Sequence, residues 1–494
     1  MSTNTISVSY TYASHPFDRD DADVILLSSD SVRFLVYKNI LSLASPVFSN
    51  LFGDGDARAE GQAYSEKGVP IIDVSEDSAT LDAFLRLIYP VGPALMDVSE
   101  LERLWEVSFK YETTLAMTKY VAQAAALHGF LDTKPLEMFA VACRFGLEQN
   151  ARTAAQHAVG AIARGVSLPN YVAEMDHISA GAYFRLKKHL NCASTMSVTD
   201  AYWSTFSLVQ RNPADGVIVS STPSSANLSE SVDPQVWLDA GLLVRNPADV
   251  TIRSSDGVDF PAHKLILSTM SPKLVAEATP PTSESELPVV AMSEPSYVVH
   301  TLLRVCYGFP LQLSTEGRHL EDWMMSQITD LVRAARKYET PRAVDQARVL
   351  LRSSLREDPF RAYFVAIALG FRDEAEAAAK LVAVNQVAED ALWGAYVPEM
   401  EDVGAKAYCN LLQYVVAVQA AARGVKDRFG LDQTFSLVKV YLPVVEREYS
   451  KMTVSKKAGK IPSLTSNERQ QILNSSHDLE KGLQYDINRI PFVF

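Results

Sequence analysis

The stretch from Asp23 to Pro46 occurs twice in this chain. It opens as Asp23-Val24-Ile25-Leu26-Leu27, turns at Ser28-Ser29-Asp30-Ser31 and closes on Ser45-Pro46. The second copy reads Asp249-Val250-Thr251-Ile252, Ser254-Ser255-Asp256-Gly257, Phe260, His263-Lys264, Leu267 and Ser271-Pro272. The pairs Asp23/Asp249, Phe34/Phe260, Lys38/Lys264, Leu41/Leu267 and Pro46/Pro272 are all separated by 226 residues. A constant offset without gaps marks one supersecondary unit used twice.

Within each copy the local signals agree. Val24–Leu27 and Val32–Val36 are β-rich runs around a turn composition and read as a hairpin, and Asp256-Gly257 strengthens that reading downstream. Ser45-Pro46 and Ser271-Pro272 place a capping hydroxyl before a proline at the first helical position. The match resumes at Pro70/Pro288, Leu85/Leu303 and Tyr89/Tyr307 with an offset of 218, so the intervening loop is eight residues longer in copy one (226 minus 218). Such length changes are tolerated in exposed loops. Ile71-Ile72 reads as a third strand. Ser75, followed by Glu76 and Asp77, is expected to cap a helix whose apolar face is Leu81, Phe84, Leu85 and Ile88.

The repeat then continues into helices. Lys110-Tyr111-Glu112-Thr113 recurs as Lys337-Tyr338-Glu339-Thr340, Pro135 as Pro359, and Gly146 as Gly370. Gly146 and Gly370 stand where a helix C-terminus needs a left-handed residue, and Asp358-Pro359 is an N-cap pair. Tyr171, Glu174-Met175, Ala182-Tyr183 and Leu186 return as Tyr396, Glu399-Met400, Ala407-Tyr408 and Leu411. The expected fold class is α+β: two repeats, each a small α/β unit with a short sheet flanked by helices, followed by an all-helical extension.

With these residues in place, the small units resemble BTB/POZ domains. The resemblance rests on the Asp-Val strand opening, on Phe260, His263, Lys264 and Leu267, on the Ser-Pro helix start, and on the helix ending near Tyr89 or Tyr307. Lys110-Tyr111 and Lys337-Tyr338 fall where the family's closing helix pair begins. The helical parts resemble the BACK-like extensions that follow such domains, and the whole is similar to tandem BTB proteins of the fungal type. The implied organisation is a disordered N-terminal tail (1–22), a first BTB/POZ domain (23–127), a helical extension (128–195) and a Ser/Pro-rich linker with room for a short helix (196–245). A second BTB/POZ domain (246–352), a second extension (353–422) and a C-terminal helix with a flexible tail (423–494) complete it. In residues 1–22, Ile6, Val8, Tyr10 and Tyr12 alternate, so an edge strand is the competing reading.

The resemblance also implies candidate positions. In the family an acidic and a basic residue at Asp23 and Lys38, or at Asp249 and Lys264, can line a charged pocket at the dimer. The competing reading is a hydrogen-bonded pair that ties the first strand to the start of the helix, since buried ion pairs are costly unless well satisfied. His263 belongs to the same signature, and Tyr37 replaces that histidine in copy one.

Composition narrows the function class. A formal charge of -13 argues against a phosphate-neutralising surface, and the basic run Lys451–Lys460 reads as a solvated tail. No stretch offers a membrane span or the build of a signal peptide, so cytoplasm or nucleus is expected. Cys143, Cys192, Cys306 and Cys409 lack metal-ligand spacing and read as buried thiols. No phosphate loop, zinc-protease helix or nucleophile elbow is present. No catalytic, cofactor-binding or metal residues are assigned. His128 and His157 read as packing or surface residues. Glu174-Met175-Asp176 and Glu399-Met400-Glu401 precede a helix and read as partners of its dipole, with acid/base work as the alternative.

Three functions follow in order. The first is a non-enzymatic protein–protein interaction scaffold, self-associating through its BTB units or packing them as an intramolecular pseudo-dimer. The second is a substrate adaptor of a cullin-type ubiquitin ligase. Against it, the loops at Asp56-Ala57-Arg58 and Thr282-Ser283-Glu284 lack the hydrophobic-x-Glu signature of such adaptors. An enzyme is the third.

Overall fold

The computed structural model describes residues 11–53, 63–65, 67–89, 91, 97–113, 129–192, 247–276, 287–309, 311, 320–385, 396–429 and 491–492. The linker 196–245, the adaptor-signature loops, His128 and the basic run lie outside the described residues. The chain divides into two compact units, residues 1–175 with 189–210, and residues 176–188 with 211–494.

In the first unit the strands β1 (Thr11–Tyr12), β2 (Val24–Leu27), β3 (Val32–Val36) and a later β4 form a sheet of order β1-β3-β2-β4. β2 and β3 are the expected hairpin, in register from Val24 opposite Val36 to Leu27 opposite Arg33. Ser31 turns the chain with φ of 68°, and Ser28 Oγ accepts from the Val32 amide at 2.9 Å. Alternation puts Val24, Leu26, Phe34 and Val36 into the core, all at 1% exposure or less. The helices α1 (Lys38–Ala44) and α2 (Pro46–Gly53) follow, and β4 (Ile71–Asp73) joins β2 in parallel. α3 (Ser78–Ile88) buries Leu81, Phe84 and Leu85, and α4 (Val98–Lys110) buries Leu101, Leu104 and Trp105.

Two expectations change here. The cap of α3 is Asp77, whose carboxylate accepts from Thr80, and not Ser75. Residues 11–22 are not a tail. β1 pairs in parallel with β3, and Phe17 is fully buried between Phe34 and Tyr89, with ring centroids 5.8 and 5.3 Å away. Phe17 accounts for the difference, because a fully buried aromatic side chain offsets part of the entropy of ordering the segment.

The extension of the first repeat comprises α5 (Phe130–Thr133), α6 (Pro135–Arg144), α7 (Glu148–Ala163) and, beyond a 3-10 turn at Ala173–His177, α8 (Ala180–Cys192). α6 ends on Gly146, whose φ of 71° lets the Leu147 amide reach back to the Ala142 carbonyl at 2.8 Å. Ala151, Ala154, Ala155, Ala158 and Ala161 make a buried stripe of small side chains on α7, which packs against α6.

The second unit repeats this plan. β5 (Val250–Arg253), β6 (Asp259–Ala262) and a later β7 form a sheet of order β6-β5-β7 with the same antiparallel and parallel pairings. α9 (Lys264–Met270), α10 (Pro272–Ala276), β7 (Val289–Ala291), α11 (Ser296–Cys306) and α12 (Leu320–Lys337) follow in the order seen in copy one. The helical part holds α13 (Pro341–Ser354), α14 (Pro359–Ala368), α15 (Arg372–Asn385), a 3-10 turn at Pro398–Glu401 and α16 (Ala405–Phe429). Asp358 caps α14 by accepting from Arg361, as expected. In the stretch read as a flexible tail, Phe492 is set edge-on to Tyr363 and Tyr414, 6.4 and 5.7 Å away. An apolar residue near the end of a polar segment has found an aromatic site.

Candidate functional site

The signature residues meet at the start of α1 and of α9. Asp23 Oδ1 accepts from the backbone amide of Lys38 at 2.7 Å, and Asp249 Oδ1 accepts from that of Lys264 at 2.6 Å. Each bond ties the first strand of its hairpin to the first turn of a helix. The bonded partner is an amide and not the ammonium, and both carboxylates are exposed. Lys38 Nζ lies 6.0 Å from the centre of the Phe52 ring.

The neighbouring position explains why copy one departs from the pattern. The His263 amide donates to the Tyr307 hydroxyl at 2.8 Å, and His263 Nδ1 lies 2.7 Å from the same oxygen. In copy one the Tyr37 amide donates to the Tyr89 hydroxyl at 2.8 Å, so the backbone tie is retained. The Tyr37 ring turns outward, where its hydroxyl donates to Asp21 at 2.7 Å and accepts from Arg19 at 2.8 Å. Arg19 and Tyr37 together hold the Asp21 carboxyl well below its usual range. Burial pushes the Tyr89 and Tyr307 phenols up to about 12. Tyr307→Phe is therefore expected to destabilise the protein by about 1–3 kcal/mol, because a half-buried amide loses its acceptor. Tyr89→Phe removes one bond in place of two and should cost less; urea unfolding of both variants measures the difference.

Each domain holds a second constellation that the sequence motifs above do not signal. Glu76, 8% exposed, accepts from Lys110 at 2.6 Å and from the Tyr111 hydroxyl at 3.0 Å. Glu294 accepts from Lys337 at 2.8 Å and from Tyr338 at 2.7 Å. Ser45 and Ser271 each donate to the carbonyl of that tyrosine while capping the next helix. Glu112 and Glu339 both have φ of 55°, which lets Thr113 and Thr340 close the helix end. The recurring Lys-Tyr-Glu-Thr is thus a helix terminus that locks a carboxylate. Ser75-Glu76 and Ser293-Glu294 share the 218 offset, so the signal was present in the repeat.

Burial works to raise the carboxyls of Glu76 and Glu294, but the hydrogen bonds from Lys110 and Tyr111, and from Lys337 and Tyr338, prevail and hold both below the ordinary value of 4.5. A folded value below the unfolded one gives stabilisation that is complete above the unfolded pKa and is lost as pH falls through the folded value. Stability should therefore fall as the solution is acidified from pH 4.5. The double variant Glu76→Gln, Glu294→Gln should flatten that slope in unfolding curves collected between pH 6 and pH 3.

In the second of the paired acidic motifs the two outer carboxylates are held by side chains from other elements and not by the helix dipole. Glu399 forms a buried ion pair with Arg361, and Glu401 accepts from Ser179, Arg185 and Tyr396. Position 137, which matches Arg361, is a glutamate, so the first repeat lacks the equivalent ion pair. Of the cysteines, Cys306 and Cys409 are buried and Cys143 is partly so. His157 Nδ1 lies 2.9 Å from Asp132 at the surface. Among the described residues there is no group of His, Cys, Asp and Glu that could hold a metal, and no helix is long and apolar enough to cross a membrane.

Comparison with known families places these observations. The BTB/POZ domain model matches residues 15–125 and 243–355, so the chain carries this protein-interaction domain twice. The first match begins at residue 15 and so takes in Phe17, which lies before the boundary of 23 expected from the repeat. No curated protein matches the chain.

Proposed function

We propose that the chain is a non-enzymatic protein–protein interaction scaffold of the fungal tandem type, in which each BTB/POZ domain is followed by a BACK-like helical extension. The observation that carries this reading is the presence of a protein-interaction domain in duplicate. In this reading Asp23, Lys38, Asp249, His263 and Lys264 serve as ties between strand and helix and not as a charged pocket, in keeping with carboxylates that are exposed and bonded to amides. The two domains act as an internal pair in the cytoplasm or nucleus, since the connecting chain raises the effective concentration of one for the other.

Light scattering of the purified chain, combined with cross-linking, tests the internal pair. A monomer is expected, and an obligate dimer with domains paired between chains would sink it. Affinity purification from the native organism should recover a protein partner at saturable stoichiometry. Tight binding of a purified cullin would instead favour the adaptor role.

A further inference from the structure

Residues Asp176–Lys188 come from the first repeat but belong to the second unit. There they meet their own counterpart. Ser179 bridges Gly404 in antiparallel fashion. The Ala180 amide donates to the Val403 carbonyl at 2.8 Å, and the Ala405 amide donates to the Ile178 carbonyl at 2.8 Å. These are one bond made twice, because Ala180 matches Ala405 and Ile178 matches Val403 at a common offset of 225. Tyr183 and its counterpart Tyr408, both buried, meet edge-on with centroids 5.9 Å apart. Reciprocal contacts between equivalent surfaces are the geometry of a two-fold dimer. Here that geometry lies within one chain.

The symmetry fails at one carboxylate. Glu401, 4% exposed, accepts from Ser179 Oγ and from an Arg185 guanidinium nitrogen, each at 2.5 Å, and from the Tyr396 hydroxyl at 3.0 Å. It lies over Gly181, where a Cβ would overlap its carboxylate carbon and oxygens. The counterparts of these residues differ in kind: Asp176 for Glu401, Lys406 for Gly181, Gly404 for Ser179 and Asn410 for Arg185. Asp176 is one methylene shorter, and both it and Lys406 are exposed where Glu401 is buried. If two second-repeat segments paired instead, Glu401 would collide with the stem of Lys406. It would also face Gly404 and Asn410 where it now has a hydroxyl and a guanidinium. A buried carboxylate pushed off the groups that hydrogen-bond it is strongly destabilising, and a steric clash of this kind is how an interface rejects a near-identical partner.

We propose that this joint is a selective clasp. It pairs the segment of the first repeat with that of the second inside one chain, and it excludes pairing of second-repeat segments between chains. Gly181, Ser179, Arg185 and Glu401 set the choice. The clasp goes beyond the scaffold reading and does not depend on what the BTB/POZ domains bind.

The test uses the full chain with a protease site inserted between Ser224 and Ser225, cleaved after folding. The cut wild-type halves should remain one species in light scattering at micromolar concentration, and native mass spectrometry should show only unlike pairs. Gly181→Lys, which writes the second repeat's residue into the first, should weaken association of the halves by at least roughly 100-fold. Adding Glu401→Ala to Gly181→Lys removes the colliding carboxylate and should restore most of the association, which separates a blocked joint from a misfolded half. Lys406→Gly should leave it unchanged. The clasp is overturned if the cut wild-type halves drift apart, if paired second halves appear, if Gly181→Lys halves hold together as wild type does, or if the double variant shows no recovery.

Discussion

Arg361→Met is expected to destabilise the second unit by about 3–5 kcal/mol, the cost of stranding a buried carboxylate. Arg361 lies in α14 and Glu399 in the 3-10 turn that precedes α16. The guanidinium Nε is 2.9 Å from both carboxylate oxygens, and a terminal nitrogen is 2.6 Å from one of them. At 5% and 7% exposure neither group has enough water to replace its partner. The pair itself need not be a large net source of stability, since desolvating two charges costs about as much as their attraction returns. The double variant Arg361→Met, Glu399→Leu should therefore recover most of the loss. Denaturant midpoints for the single and double variants, with hydrogen exchange of the α14 amides, decide the matter. A single variant that loses less than about 1 kcal/mol would mean that Glu399 is solvated when alone.

The features legible in the sequence are those whose cause is local. The hairpins follow from β-branched runs around Ser31 and Gly257, the helix starts from Ser45-Pro46 and Asp358-Pro359, and the helix ends from Gly146 and Gly370. Each is decided within a few residues, and duplication supplies most of the signals twice, the cap at Asp358 being an exception because its counterpart Lys134 makes no side-chain cap. The choice of Asp77 over Ser75 as the cap of α3 is not local. Ser78, the first helical residue, is fixed by Asp30 through its amide at 2.8 Å and its hydroxyl at 2.6 Å, 48 residues upstream. The signature positions show the same limit. Asp23 and Lys38 were legible as a pair, but that the carboxylate takes the amide and leaves the ammonium follows from the backbone path between β3 and α1. The acidic residues at 399 and 401 looked like dipole partners because a helix follows them. Their cations, Arg361 and Arg185, come from other helices, 38 and 216 residues away, and no local rule reaches that far.

Phe17→Ala should cost about 3–5 kcal/mol, as expected for emptying an aromatic site in a packed core. The side chain is fully buried, and Arg86 stands 5.5 Å from its ring centre. Ordering the lead-in residues costs about 1–2 kcal/mol for each in backbone entropy, and one buried phenylalanine returns at most about 3 kcal/mol. Other bonds must therefore share the load. The Ala13 amide donates to Arg33, the Leu35 amide donates to the Phe17 carbonyl, and Arg19 and Asp21 engage Tyr37. Removing the ring should loosen the whole segment together, so amide exchange at Ala13 and Leu35 should quicken along with the fall in stability. Tyr12→Ala, at a side chain 55% exposed, should stay within about 0.5 kcal/mol of wild type. If the lead-in were a solvated tail, the two substitutions would be equally silent. A large effect at Phe17 beside a small one at Tyr12 makes the segment part of the domain, in agreement with a family match that begins at residue 15.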